Sequence, residues 1–175
     1  MFPMTERLAT PRLDLIPLRP EDAFEMVGVL ADPRLYAFTG GGPPSREELL
    51  AQYERQSVGR SADGAADWHN WIIRRRPQGD AIGFVQATVS SPRGPADIAW
   101  LIGVPWQGHG FAAEAALAMV AWLEGGGVAV ITAHVHPGHT ASEAVAARAG
   151  LEATDEIDDG ERVWHRVPAG ISRNA

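Results

Sequence analysis

Short apolar runs in the first half of the chain alternate with polar stretches, and each run predicts one element of secondary structure. Residues 13–18 carry the pattern of a first strand. A helix is predicted over 20–30, because it opens with a proline followed by acids, which suit the first turn of a helix. Ser45 and Glu48 have the spacing of a capping box, which predicts a second helix from there to about residue 60.

Three segments in the middle of the chain predict strands that are separated by turns rich in proline and glycine. These strands are expected over 68–75, 81–89 and 97–104. In the third, Ile98, Trp100 and Ile102 share one face, because successive side chains of a strand point to opposite sides. The three strands together predict an antiparallel meander.

The last third of the chain predicts a helix, a strand, a second helix and two short strands. Residues 109–124 are apolar nearly all round the helix, so this helix should be buried against the sheet. A buried strand over 128–136, a helix over 140–149 and short strands near 152 and over 161–167 follow. The order β-α-α-β-β-β-α-β-α-β-β predicts a mixed α/β fold, with residues 1–175 in a single domain.

The composition excludes several kinds of chemistry. The chain has 175 residues, a net charge of −7, no cysteine, and fifteen basic residues that are all arginine. A thiolate nucleophile, a disulfide and a lysine Schiff base are therefore excluded. A hairpin end explains the one basic cluster, at 74–76, so no nucleic-acid partner is expected. No apolar run is long enough to span a bilayer and no signal peptide is evident, so the expected location is the cytoplasm.

The most informative segment is a glycine-rich turn at 104–114, between a predicted strand and a predicted helix. Glycines let backbone N–H groups close on an anion, and a helix N-terminus adds unpaired donors, so a phosphate or pyrophosphate is the natural ligand. A tight turn that binds nothing is one alternative. A dinucleotide site is another, since 108–113 nearly spells G-x-G-x-x-A. That fold, however, needs an acid at the end of the next strand, which here ends in His134-Val135-His136, and it places its turn first in the chain.

Three segments resemble motifs of one family. Residues 107–112, Gln-Gly-His-Gly-Phe-Ala, resemble the Gln/Arg-x-x-Gly-x-Gly/Ala signature of GNAT-superfamily acyltransferases. Residues 10–15 followed by 18–23 resemble the opening of the RimJ/RimL-like branch of that superfamily. Residues 136–142, followed by Gly150-Leu151, resemble the second motif of the same branch. The order of predicted elements matches the GNAT fold throughout.

The resemblance implies an N-acyltransferase that uses acetyl-CoA, or another short acyl-CoA, as co-substrate and holds no metal. The acyl-CoA would lie in the V formed where strand 97–104 splays from strand 128–136, with its pantetheine arm paired to the backbone of Ile102, Gly103 and Val104. The pyrophosphate would be bound by the amides of Gln107, Gly108, His109, Gly110, Phe111 and Ala112. Without cysteine, a primary amine would attack the thioester directly, in a ternary complex.

Catalysis then needs a base for the ammonium substrate and a group that stabilises the leaving thiolate. The run Ala96-Asp97-Ile98 resembles the Ala-Glu-Ile of the histone-acetylating branch, which implies Asp97 as the base; a solvated acid that caps the preceding turn is the alternative. Many GNAT members carry a tyrosine acid where this chain has Ala146, so Ser142 is the predicted substitute, unless it only bonds the backbone of its helix. His139 stands where the branch has asparagine and either bonds the pantetheine amides or packs.

Aromatic and acidic side chains supply the remaining predictions. Tyr36, Trp71 and Trp106 are the predicted walls of the acceptor groove, although aromatic residues are more often core. Glu114 and the acids of 155–159 are predicted to be solvated. His134, His136 and His139 have no further ligand cluster near them in the sequence, so no metal site is predicted.

Two functions stay open at this point. One is an acyltransferase that acts on a primary amine, and the other is a GNAT-fold module that binds acyl-CoA without catalysis, as a sensor or interaction subunit. The missing tyrosine favours the second. The acceptor is either a small-molecule amine or a protein N-terminus, and the chain is expected to be a monomer or a homodimer.

Overall fold

A single eight-stranded sheet with helices on both faces accounts for residues 2–90 and 94–166, which are the residues described by the computed structural model. Its strands are β1 (Leu8–Ala9), β2 (Leu13–Pro17), β3 (Ala66–Arg75), β4 (Ala81–Ser90), β5 (Ala96–Ile102), β6 (Ile131–Val135), β7 (Glu152–Asp158) and β8 (Glu161–Arg166). Its helices are α1 (Ala23–Val29), α2 (Arg46–Ser57), α3 (Phe111–Gly125) and α4 (Thr140–Arg148). The strand order is β1-β2-β3-β4-β5-β6-β8-β7, and only β5 and β6 are parallel neighbours.

The predicted mixed α/β fold is confirmed, with one added strand. β1 has only two residues, which is too short a run to show an alternating pattern. The capping box at the start of α2 is present: the Glu48 N–H donates to the Ser45 hydroxyl, and the Ser45 N–H donates to the Glu48 carboxylate. Part of the predicted turn at 91–95, and the predicted strand end at residue 167, lie outside the described residues.

The two faces of the sheet are covered by different helices. The face under α3 and α4 carries the larger hydrophobic cluster, in which Leu15, Val85 and Met119 are fully buried. The face under α1 and α2 carries a second cluster around Met26 and Ile72. Seven residues of α3 are buried, as its apolar sequence predicts.

The N-terminal segment ties α3 to β3 through Glu6. The indole N–H of Trp71 donates to the Glu6 carbonyl at 2.7 Å, and that of Trp122 donates to the Glu6 carboxylate at 3.0 Å. The ring of Phe2 lies 5.1 Å from those of both His69 and Trp122, centroid to centroid. Trp71 has no exposed surface, so it is a core residue, and its prediction as a wall of the acceptor groove is wrong.

His69 is a polar residue inside this aromatic cluster, with only 4% of its surface exposed. Its Nδ1 lies 2.8 Å from the Thr5 hydroxyl, and its Nε2 has no partner among the described residues. Burial lowers the pKa of His69 below its ordinary value of 6.5, against a smaller opposing effect of the Asp67 charge. The folded protein therefore favours the neutral imidazole.

We predict that the free energy of unfolding falls as the pH drops below about 6.5, the ordinary pKa of histidine. The unfolded chain binds the His69 proton near pH 6.5 and the folded chain only at lower pH, so the free energy of unfolding should fall from that pH down to the folded pKa. The loss attributable to one histidine is at most about 1.4 kcal/mol per pH unit. Urea denaturation of wild type and His69→Phe at several pH values measures it. The variant should lose less stability between pH 7 and pH 5, and parallel curves would contradict the assignment.

Candidate active site

β5 is held by β4 along its whole length but by β6 only at its start. The antiparallel pairing with β4 runs from Ala96 to Ile102. The parallel pairing with β6 has two positions, Ala96 with Ile131 and Asp97 with Thr132, beyond which β6 follows β8 alone. A V-shaped gap therefore opens between β5 and β6 immediately after Asp97, as the sequence predicts.

Alternate residues of β5 turn their backbone groups toward this gap. The Gly103 N–H donates to the carbonyl of Ile82 in β4. The Ala96 N–H donates to the carbonyl of Val130, the residue immediately before β6. Since successive residues of an antiparallel strand alternate in direction, the N–H groups of Trp100 and Ile102 face the gap. These two residues form the open edge of β5.

The predicted ligand-binding edge at 102–104 needs correction. The Gly103 carbonyl accepts from the Trp106 N–H at 3.0 Å, so both backbone groups of Gly103 are already bonded. The Val104 carbonyl accepts from the Gln107 N–H at 3.3 Å. The Gly103 N–H is therefore not available to a ligand, because the chain turns into a short 3-10 helix here. The carbonyls of Gly103 and Val104 each keep a second lone pair, so their pairing with the pantetheine arm stays a prediction.

The glycine turn connects this edge to α3. The side-chain amide of Gln107 donates to the Ile102 carbonyl at 3.0 Å, which folds the turn back onto the end of β5. Gly108 and Gly110 have φ angles of 78° and 79°, the left-handed conformation that favours glycine. Gly110 is the N-cap of α3, and with no side chain it leaves the first turn of the helix uncapped.

The amides of the turn and of the first helical turn are open donors. Within the described chain, none of the backbone N–H groups from Gly108 to Ala113 donates to a protein acceptor. Six adjacent donors at a helix N-terminus form an anion site, because the donors and the helix dipole both favour negative charge. The turn therefore has the geometry that a pyrophosphate needs.

Arg12 brings positive charge to the turn and is held in place by Glu114. Its Nε donates to the Glu114 carboxylate at 2.7 Å, its backbone N–H donates to the same carboxylate at 2.9 Å, and its Nη1 donates to the His109 carbonyl at 3.0 Å. Burial alone would raise the pKa of Glu114, but hydrogen bonds from Thr10 and Arg12 hold that pKa below its ordinary value. The prediction of a solvated Glu114 is wrong, since its side chain is 17% exposed and fully engaged.

Arg148 is a second cation at the turn, and the sequence analysis missed it. A Cβ on Gly110 would lie 3.6 Å from a guanidinium nitrogen of Arg12 and 3.8 Å from one of Arg148. Arg148 ends α4 and makes no ion pair with any described residue. Its signal in the sequence is a basic residue just before the glycine that ends the predicted helix.

At the other end of the gap, an imidazole lies between two carboxylates. His134 Nδ1 lies 3.1 Å from Asp97 Oδ1, and His134 Nε2 lies 3.4 Å from Asp158 Oδ2. The Thr132 hydroxyl also donates to the Asp97 carboxylate, at 3.2 Å. Asp97 thus bonds across the β5–β6 pairing, and part of the turn that it was alternatively predicted to cap lies outside the described residues. His134 was not predicted here, although Ile131, Ala133 and Val135 are buried and their alternation places His134 on the opposite face.

A cavity of about 210 Å³ lies on that same face, between α2 and the centre of the sheet. Its walls include Gln86 of β4 and Leu101 of β5, which lie further along the strands from the Thr88–Asp97 pair. Tyr36 also lines it, and its hydroxyl donates to the Leu30 carbonyl at 2.9 Å. The cavity and the imidazole therefore occupy one face of the sheet.

The chain matches the family model of the acetyltransferase (GNAT) domain over residues 12–152. The match covers most of the chain and includes the open edge of β5, the glycine turn and His134. The chain belongs to the GNAT acetyltransferase family. It is an acyl-CoA-dependent N-acetyltransferase with acetyl-CoA as co-substrate.

Solved structures of acetyltransferases share the fold at low sequence identity. The GNAT-family acetyltransferase from Bacillus anthracis has a TM-score of 0.75 at 14% identity, over 93% of this chain and 98% of that one. RimL, the ribosomal L7/L12 alpha-N-protein acetyltransferase, in complex with coenzyme A, has a TM-score of 0.75 at 15% identity, over 93% of this chain and 98% of that one. The microcin C7 self-immunity acetyltransferase MccE, in complex with acetyl-CoA and AMP, has a TM-score of 0.74 at 15% identity, over 91% of this chain and 94% of that one. No curated protein sequence matches the chain.

In this acetyltransferase, His139 and Ser142 meet at the start of α4. The Ser142 N–H donates to His139 Nδ1 at 3.2 Å, so His139 caps the helix as an asparagine would. The Ser142 hydroxyl lies 3.4 Å from His139 Nε2. The ring of Phe38, from the segment between α1 and α2, lies 4.3 Å from the His139 ring, centroid to centroid. His139 therefore positions the serine hydroxyl and packs under an aromatic ring.

Two further predictions concern Trp106 and metals. The Trp106 ring packs against Gly103 and both hydrophobic clusters, and it is not among the residues that line the cavity. Across the described ranges, no group of three or more histidine or acidic side chains has an arrangement that would hold a metal ion. The described helices include none with the length and apolar character needed to cross a membrane.

We predict that a side chain on Gly110 weakens CoA binding. In Gly110→Val, the new atoms would enter the space between Arg12 and Arg148 and would cover the open amides. The dissociation constant of CoA, measured by titration calorimetry, should rise at least tenfold, or about 1.4 kcal/mol.

Gly79→Val is the matched control, because Gly79 lies in the β3–β4 turn with a φ of 78° and open space around it. It imposes the same backbone strain far from the cradle and should leave CoA affinity unchanged. If Gly110→Val binds CoA as tightly as this control, the turn is not the pyrophosphate site.

Proposed function

We propose that this enzyme transfers the acetyl group of acetyl-CoA to a primary amine by direct attack, with His134 as the group that receives the amine proton. The observation that carries the proposal is the position of the Asp97–His134 pair at the apex of the gap, on the face that also bears the cavity. The co-substrate approaches from one side of the sheet and the acceptor from the other.

The cofactor end of the proposal rests on unpaired backbone groups. The pantetheine arm would add to the open edge of β5 at Trp100 and Ile102, as an extra strand would. The pyrophosphate would accept from the amides of 108–113, and Arg148 would add a charge that no described side chain neutralises. This arrangement places the thioester near the apex, beside Asp97.

The proton relay rests on the two carboxylates around His134. When Nδ1–H donates to Asp97, Nε2 carries the lone pair and accepts the proton of the ammonium acceptor, directly or through one water. The imidazolium that forms would then lie between Asp97 and Asp158, which stabilise its charge. Asp97, the base predicted from the sequence, becomes a positioning residue in this proposal.

The leaving thiolate requires a donor on the other side of the thioester. Ala146, at the position where many family members carry a tyrosine, is fully buried and has no proton to give. If Nε2–H of His139 donates to the Ser142 oxygen, the Ser142 O–H is left to donate to the CoA sulfur. Ser142 is therefore the proposed hydrogen-bond donor that stabilises the leaving thiolate, and His139 is its positioning residue. The thiolate becomes a thiol by taking up the second proton that the amine nitrogen releases when the amide forms.

The acceptor is proposed to be a small-molecule amine or a protein N-terminus. The enzyme is proposed to act in the cytoplasm, as a monomer or homodimer, and to bind no nucleic acid. RimL, a ribosomal L7/L12 alpha-N-protein acetyltransferase, is consistent with the protein N-terminus in this class. A non-catalytic acyl-CoA-binding module, the alternative from the sequence, is not supported, because the chain belongs to the GNAT acetyltransferase family. Release of free CoA thiol in the presence of a panel of amines tests the proposal, and binding of acetyl-CoA without thiol release on any amine would contradict it.

We predict that His134→Gln lowers kcat at least about 100-fold at pH 7, since a general base contributes two to four orders of magnitude. The dissociation constant of acetyl-CoA should stay within twofold of wild type, because His134 lies at the opposite end of the gap from the glycine turn. Asp97→Asn should lower kcat by about tenfold, since it removes the acceptor that orients the ring.

Asp159→Asn is the control, because Asp159 is an exposed neighbour of Asp158 with a φ of 46° that asparagine tolerates. Its kcat should equal that of wild type. Full activity of His134→Gln over the same pH range would remove His134 from the mechanism.

A further inference from the structure

Among the described residues, the fourteen that line the cavity on the acceptor face include no acid, arginine or histidine. About half are aliphatic or aromatic. The others include four carboxamides and two tyrosines, so the polar part of the wall is neutral.

The wall formed by α2 carries a buried hydroxyl without a partner. Leu49, Gln52, Tyr53 and Gln56 recur at helical spacing and line the cavity together. Tyr53 is 2% exposed, and its hydroxyl oxygen has no hydrogen-bond partner among the described residues. A buried hydroxyl is almost always hydrogen-bonded in a folded protein, so Tyr53, which lines the cavity, is a candidate donor to a group bound there.

The opposite wall is a pair of carboxamides on the sheet. Asn70 and Gln86 are direct partners across β3 and β4, and both side chains line the cavity. Neither side chain makes a hydrogen bond with another described residue. Gln86 pairs with Ala99 of β5, two residues from Asp97, so this wall leads from the cavity toward the apex of the gap.

We infer that the acceptor carries, beside its reacting amine, an uncharged hydrogen-bonding group such as a carboxamide or hydroxyl. This inference rests on the proposed function and names the substrate class of the same site. A carboxamide satisfies Tyr53 and the facing amides with both donors and an acceptor, and its short aliphatic stem suits the apolar walls. A carboxylate or a second ammonium would enter a cavity with no opposite charge to pair with it.

Three amines with one carbon skeleton test the inference: 4-aminobutanamide, 4-aminobutanoate and 1,4-diaminobutane. A second set, three tripeptides that differ only in an N-terminal Asn, Asp or Lys, tests it on peptide acceptors. CoA thiol release gives kcat/KM for each compound. In at least one set, the carboxamide member should exceed both charged members by about 100-fold or more, since a site built for hydrogen bonding rejects groups that leave it unpaired.

Variants of the walls give the matched test. Tyr53→Phe should raise KM for the preferred carboxamide by about tenfold and should not lower the melting temperature, because no described residue bonds the hydroxyl. Gln86→Glu should improve kcat/KM for the diamine or for the Lys peptide at least tenfold. Gln78→Glu, an exposed substitution in the β3–β4 turn, is the control and should change neither preference.

The outcomes separate this inference from the proposed function. Turnover of charged members as fast as the carboxamide, or a Tyr53→Phe enzyme with unchanged KM, overturns the inference and leaves the N-acetyltransferase mechanism standing. Binding of CoA without turnover of any of the six acceptors overturns the proposed catalytic function and the inference with it.

Discussion

The site depends on one constraint, which is that β5 diverges from β6 after only two paired positions. β5 stays with β4 because the antiparallel pairing continues to Ile102, and β6 stays with β8 because that pairing continues to Val135. Neither strand has a second partner over this length. The sheet therefore offers unpaired backbone groups in its interior, at Trp100 and at the N–H of Ile102.

The two ends of the gap have different chemistry because different elements close them. At the wide end, β5 passes through a 3-10 turn into α3, and two left-handed glycines leave the amides of the helix start open. At the narrow end, β6 and β7 bring His134 and Asp158 against Asp97. The proposed sites of anion binding and proton transfer are thus separated along one strand, which suits a cofactor whose charged and reactive groups lie at opposite ends.

The sequence predicted what depends on local pattern. The element order followed from apolar spacing, the start of α2 from its capping box, and the open amides before α3 from two glycines before an apolar helix. Features that depend on distant partners were missed or misassigned. Glu114 looked solvated because its partner Arg12 lies far away in the sequence, and Trp71 looked like a groove residue because its cover, Glu6, comes from the N-terminal segment. His134 was interpreted as a cofactor-side or core residue, since its contacts with Asp97 and Asp158 appear only when three strands are assembled.

Amide hydrogen exchange at single residues of β5, followed by NMR with and without CoA, tests the role of the gap most directly. Trp100 and Ile102 face the gap, whereas Ala99 and Leu101 already face β4 in the ladder. Saturating CoA should slow amide exchange at Trp100 and Ile102 at least about tenfold. The exchange rates of Ala99 and Leu101 should be nearly the same with and without CoA. Bound CoA with no change at Trp100 and Ile102, or with equal slowing at all four residues, would contradict a pantetheine arm paired to the open edge of β5.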